Sequence, residues 1–79
     1  MTSTLSHAER PVFETIAAVD TIGLHVLEHL LESRQPADET EIVVTALARR
    51  GLVRLYTGAR HRMVSLSSAG RRMAKELGY

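Results

Sequence analysis

The chain has 79 residues and a mass of 8.7 kDa, with 44% hydrophobic and 24% charged residues. That length supports one small domain with a thin core, and the composition excludes wholesale disorder. The absence of cysteine excludes disulfides and thiolate metal sites, so a partner subunit is the expected support for so small a core, and a homodimer is predicted. No apolar run approaches the roughly 18 residues of a membrane span. The first six residues lack the basic and apolar regions of a signal peptide. The chain therefore reads as cytoplasmic, with no membrane partner.

The formal net charge of +1 hides a sharp segregation. Up to Leu47, Arg10 and Arg34 stand against Glu9, Glu14, Asp20, Glu28, Glu32, Asp38, Glu39 and Glu41, a balance of −6. From Ala48 onward, Arg49, Arg50, Arg54, Arg60, Arg62, Arg71, Arg72 and Lys75 stand against Glu76, a balance of +7. Such sorting points to a basic surface for an anionic partner on an acidic, apolar scaffold. Neutralisation of the two halves within the fold or across a dimer is the competing reading.

Residues 1–10 are expected to be a flexible lead, followed by one domain over 11–79. Ser6 and Glu9 spell a capping box, but that would place Pro11 inside a helix, so the first helix is set at about 11–20, with Pro11 in its first turn. Val12, Ile16, Val19, Gly23, Val26/Leu27 and Leu30 recur at helical spacing. Asp20 falls in the apolar arc and Ile22 in the polar one, so the pattern divides there, with Asp20 as a cap and a second helix at about 22–33. Arg34 to Ala37 form a loop. Asp38 and Glu41 spell a second capping box for a helix at about 39–50, and Gly51 suits a left-handed C-cap. Residues 52–57 and 62–66 read as strands joined by a tip at Gly58, Ala59, Arg60 and His61. Ser67 is a natural N-cap for a last helix at about 68–77, with Gly70, Met73, Ala74 and Leu77 as its buried stripe. The fold class is mainly α with a small β-hairpin (α+β).

Two segments carry a family resemblance: Ala46-Leu47-Ala48-Arg49-Arg50-Gly51-Leu52-Val53-Arg54, and Gly58-Ala59-Arg60-His61-Arg62-Met63-Val64-Ser65-Leu66-Ser67-Ser68-Ala69-Gly70-Arg71. Over about residues 42–75 the chain resembles a winged helix-turn-helix, closest in pattern to MarR-type transcriptional regulators. The Gly51-Leu52-Val53 run is similar to the end of that family's recognition helix, and Val64 to Gly70 to its exit from the wing. Between the opening helix and Gly51 the family fits two helices. Here either the 22–33 segment serves as the second helix or that helix is lost.

The resemblance implies double-stranded DNA as partner, with helix 39–50 as the recognition helix. Its outward positions are expected to be Glu41, Val44, Thr45, Ala48 and Arg49, of which Thr45 and Arg49 can reach base edges or phosphates. Asp38, Glu39 and Glu41 suit the helix dipole but repel phosphates. Arg54, Arg60, His61 and Arg62 cluster on the wing, where arginine suits a narrow minor groove or its flanking phosphates. Arg71, Arg72 and Lys75 lie in the first turns of the last helix, where cations do not favour the dipole, so phosphate contact is expected, with a salt bridge to a partner's acidic half as the competitor. Val12, Phe13, Ile16 and Val19 are candidates for a dimer interface, with packing against Met73 and Leu77 as the alternative.

His25-Val26-Leu27-Glu28-His29 spells H-x-x-E-H, but so small a chain has no protease cleft or distal ligand helix, and a solvated face is expected. No metal or other cofactor, catalytic residue or enzyme activity is predicted. The scarcity of aromatic residues favours duplex DNA over single strands. The reading is a dimeric regulator, expected to be a repressor of bacterial or phage type. The alternative is a winged-helix module that binds a protein as inhibitor or adaptor.

Overall fold

A computed structural model of the chain describes residues 5–58 and 60–79. The elements run α1 (Glu9–Val19), β1 (Thr21–Gly23), α2 (Leu24–Leu30), α3 (Ala37–Arg49), β2 (Val53–Thr57), β3 (Arg62–Leu66) and α4 (Ser68–Glu76). A three-stranded antiparallel sheet in the order β1-β3-β2 packs beside the helices. This is a winged helix-turn-helix: α2 and α3 form the helix-turn-helix and the β2–β3 hairpin is the wing. No helix is missing, because the 22–33 segment supplies α2.

The start of α1 differs from expectation. The Ser6–Glu9 capping box does form: the Ser6 amide donates to Glu9 Oε1 at 2.9 Å and the Glu9 amide to Ser6 Oγ at 3.2 Å. Pro11 is tolerated because it is the third residue of the helix, where a missing N–H leaves no intrahelical bond unmade. Leu5 is buried, so residues 5–10 belong to the domain. Residues 1–4 of the expected lead lie outside the described residues.

The second correction is β1. Asp20 does not cap α2; it is the C-cap of α1, at φ 69°, its amide donating to Ile16 O at 2.7 Å. The chain then leaves as a short strand, pairing Ile22 with Val64 and Gly23 with Met63. This break resets the helical phase, so α2 buries Leu24 and Leu27, while Val26 and Leu30 from the expected stripe are exposed.

Pro36, in extended conformation, precedes α3, and its carbonyl accepts from the amides of Glu39 and Thr40. The Asp38–Glu41 box does not form; α3 starts two residues earlier than expected, with no side-chain cap. Its C-terminus closes as predicted. Gly51 has φ 76°, and the bonds Leu52 N to Leu47 O and Gly51 N to Ala48 O form a Schellman turn that only glycine enters freely. Ser67 caps α4 by accepting from Gly70 N at 3.0 Å.

The core gathers Val12, Phe13 and Ile16 of α1, Leu24 and Leu27 of α2, Val43, Val44 and Leu47 of α3, Val53, Val64 and Leu66 of the sheet, and Met73 and Ala74 of α4. Val12, Phe13 and Ile16 are fully buried within the single chain, so they fill its own core and cannot form a surface for a second copy. Of the four expected interface residues only Val19 is exposed.

Candidate nucleic-acid interface

The turn between α2 and α3 is closed by bonds from the Arg34 and Gln35 amides to Leu31 O at 2.8 and 2.9 Å. It delivers α3 with Thr40, Val43, Val44 and Leu47 facing the core. Val44 therefore points inward, against expectation, because the buried arc of α3 is wider than the Val43/Leu47 seam. The outward face instead holds Ile42, which is 68% exposed, a residue that sequence reasoning passed over. Helical spacing from Asp38 through Thr45 to Arg49 would have found it.

A shallow groove of about 630 Å³ along this face is lined by Asp38, Glu41, Ile42, Thr45 and Arg49 among others. The Thr45 hydroxyl donates to Glu41 O at 2.9 Å, so its oxygen remains free to accept from an exocyclic base amine. Arg49 is exposed in the last turn, where a cation also favours the helix dipole.

The wing closes through the Gly58 amide, which donates to His61 O at 2.7 Å. Arg60 and His61 are exposed at its tip, while Ala59 lies outside the described residues. Two contacts hold the hairpin beside the helix-turn-helix. The His61 ring lies 4.7 Å from that of His25 at the start of α2. Arg62 Nη1 meets Glu41 Oε2 of α3 at 2.6 Å. Glu41 is thereby offset, leaving Asp38 and Glu39 as the acids of the first turn. Arg62 is thus paired with a carboxylate of α3.

The other predicted arginines do not join this face. In β2, Val53 and Leu55 point towards the core, so Arg54 between them stands on the outer face of the sheet, paired in register with Ser65. Arg54, Arg71 and Arg72 line a separate cleft with Thr21, Ser65 and Ser68. Arg71 is tied to Asp20 by two bonds, Nε to Oδ1 at 3.2 Å and Nη2 to Oδ2 at 3.0 Å. That pair accounts for a cation at the start of α4, and the arginine beside it holds the Asp20 carboxyl below the usual carboxylate range. Arg71 therefore has its carboxylate within the chain, while Arg72 beside it has none among the described residues.

Arg50 likewise meets Glu9 at 2.8 Å, joining the end of α3 to the start of α1. Partial burial raises the Glu9 carboxyl, but the Ser6 amide and the Arg50 guanidinium outweigh it and lower the group overall. Thus part of the charge segregation is spent inside the fold. Arg49, Arg54, Arg60, Arg72 and Lys75 have no carboxylate partner among the described residues.

His25 and His29 are exposed, as expected of a solvated face. Among the described residues, no group of three or more His, Cys, Asp or Glu side chains could hold a metal ion. Nor is any helix of the described residues long and apolar enough to cross a membrane.

A scan of the sequence against protein-family models and a search of curated proteins both give no match. Solved structures do match. A probable transcriptional regulator from Pseudomonas aeruginosa superposes with a TM-score of 0.82 at 24% identity, covering 95% of this chain and 58% of its own. MepR, a transcription regulator of the Staphylococcus aureus multidrug efflux pump MepA, gives 0.79 at 15% identity, covering 91% of this chain and 54% of its own. A MarR family regulator from Neisseria meningitidis gives 0.77 at 22% identity, covering 92% of this chain and 52% of its own. The chain thus spans little more than half the length of these proteins. What it shares with them is the winged-helix fold seen in structures of MarR-type regulators.

Proposed function

We propose that this chain binds double-stranded DNA as a winged-helix transcription regulator, with α3 in the major groove and the wing tip on phosphates or in the adjacent minor groove. One observation carries the reading: the outward face of α3, with Thr45 and Arg49, is flanked by a wing that ends in Arg60 and is fastened to the same helix-turn-helix by the Arg62–Glu41 and His61–His25 contacts. A recognition helix needs an outward face bearing base-reading groups beside a phosphate-binding element. The regulator function of fold neighbours that cover nearly all of this chain supports it.

In this reading Thr45 and Arg49 read bases, Arg60 and His61 contact the backbone, and Arg62 positions the wing. The chain acts in the cytoplasm, without an enzymatic step. Two copies bind together, each on a half-site one helical turn from the next, about 34–36 Å, and repress by occupying the DNA. The dimer contact lies outside the Val12/Phe13/Ile16 cluster, since those side chains are buried in the chain's own core.

The test is selection from a random duplex pool, followed by binding to the recovered site. An enriched palindrome whose affinity drops about tenfold or more on Arg49→Ala supports the reading. No enrichment, together with retention of one protein partner in a pull-down, would move the chain to the adaptor reading.

A further inference from the structure

Opposite the Val43/Val44/Leu47 face of α3, helical spacing sets Asp38, Ile42, Thr45 and Arg49 in one line along the groove. Three of the four carry hydrogen-bonding groups. Ile42 does not, and at 68% exposure it is the most exposed large apolar side chain among the described residues. Single apolar side chains on a surface are ordinary; this one stands in the middle of the face proposed to meet DNA. The chain's own packing does not use it, since α3 meets the core through Thr40, Val43, Val44 and Leu47.

The surroundings of Ile42 decide what it meets. Apart from Ala46, the groove around it is lined by Asp38, Glu41, Thr45, Arg49 and Arg50, all polar or charged. Protein-docking surfaces expose contiguous apolar patches of several hundred Å² or more, which one isoleucine and one alanine do not supply. The matching partner is a single apolar group set among hydrogen-bonding ones. In the major groove that group is the C5-methyl of thymine, which apolar side chains recognise. Asp38, one turn before Ile42, is repelled by phosphate oxygens but can accept from a cytosine N4 amine, so this part of the line suits base edges and not the backbone. The isoleucine is also stiff: a β-branched residue in a helix has one strongly preferred χ1, so it gives up little freedom on contact. Ile42 and Thr45 are about 4.5 Å apart along the helix axis, close to the roughly 3.4 Å step between base pairs. A methyl under Ile42 and an exocyclic amine under Thr45 can therefore be met on neighbouring pairs.

We propose that Ile42 reads the 5-methyl group of a thymine in the major groove, on a base pair next to the one that Thr45 reads. The proposal rests on the reading of α3 as the recognition helix. Thymines of the duplex recovered by selection are replaced one at a time by deoxyuridine, which keeps the base pair and removes only the methyl. Anisotropy gives the affinity of the wild-type chain and of Ile42→Ala for each duplex.

At one position of the half-site, the wild type is expected to lose about fourfold in affinity when the methyl is removed. Ile42→Ala is expected to bind the parent site about fourfold more weakly and to lose less than about twofold further at that position. A loss of equal size in both proteins would overturn the proposal by giving the methyl to another residue. A recovered site without thymine, or one in which no replacement costs the wild type more than about twofold, would overturn it and leave the DNA reading standing. Binding to duplex with no enriched sequence would overturn it as well, since no base is then read. No duplex binding by the wild type would overturn both readings. Ile42 lies outside the core, so Ile42→Ala keeps the fold, as circular dichroism confirms.

Discussion

Gly70→Ala tests the packing that fixes the wing. Gly70 sits in the first turn of α4, and a methyl built on it would stand 1.9 Å from the Leu52 carbonyl oxygen. Side-chain carbons do not approach closer than 3.0 Å, so α4 must move away from residues 51–52 by about 1.1 Å. The same carbonyl accepts from the Ser67 amide, and losing that bond costs about 1 kcal/mol. Forcing the packed Leu52–Leu66 surroundings apart costs about 1–3 kcal/mol more. The helix propensity of alanine over glycine returns about 1 kcal/mol. The net is a loss of about 2 kcal/mol, which in a domain of this size lowers Tm by roughly 8–16 °C.

Gly51→Ala is the control. It has open space around the new carbon but a φ of 76°, so only the left-handed backbone is penalised, at about 1 kcal/mol. Thermal melts followed by circular dichroism compare the two variants with the wild type. Gly70→Ala should fall further than Gly51→Ala. A Gly70→Ala variant as stable as the wild type would refute the close seat of α4 on Leu52, where the chain enters the wing.

Further tests address the interface and its electrostatics. Glu41→Gln breaks the ion pair through which Arg62 fastens the wing to α3 and should weaken binding to the selected site about threefold, as the wing loses its fixed place beside the helix. The cost in stability, read by denaturant titration, should stay below about 1 kcal/mol because both side chains are well exposed. Thr45→Val should weaken binding to the selected site while leaving random duplex unaffected, as a competition assay would show. On the acid side, the Glu9 and Asp20 carboxyls titrate lower in the fold than in the unfolded chain. Their contribution is present above the ordinary carboxylate values and is lost as pH falls through the folded values. Tm should therefore fall on acidification towards pH 3, and less so in Asp20→Asn with Glu9→Gln than in the wild type.

The parts of the fold legible in the sequence were those written in local chemistry. The left-handed Gly51, the Ser67 cap, the buried Gly70/Met73/Ala74 stripe and the two wing strands all follow from neighbours a few residues apart. β1 was hidden because Thr21-Ile22-Gly23 is too short to show alternation and becomes a strand only by pairing with residues 63–65. Val44 departs from the outward face that helical spacing gives it because a helix packed against α1, α2 and the sheet buries a wider arc than one seam. The basic residues are plain in the sequence, but their distribution over the surface is not. It depends on the alternation that sends Arg54 to the outer face of β2. It depends also on contacts across 21 to 51 residues of sequence, Arg62 with Glu41, Arg50 with Glu9 and Arg71 with Asp20, which no local pattern announces.

The most direct test of the DNA-binding claim is the anisotropy of a labelled duplex titrated with the chain from low to physiological salt. Arg49, Arg60 and their neighbours predict micromolar or tighter binding at low salt. They also predict a log–log slope of about −2 to −4 for each bound chain, corresponding to about two to four phosphates contacted. Binding that is absent at low salt, or that does not change with salt, would contradict the claim that α3 and the wing form a DNA interface.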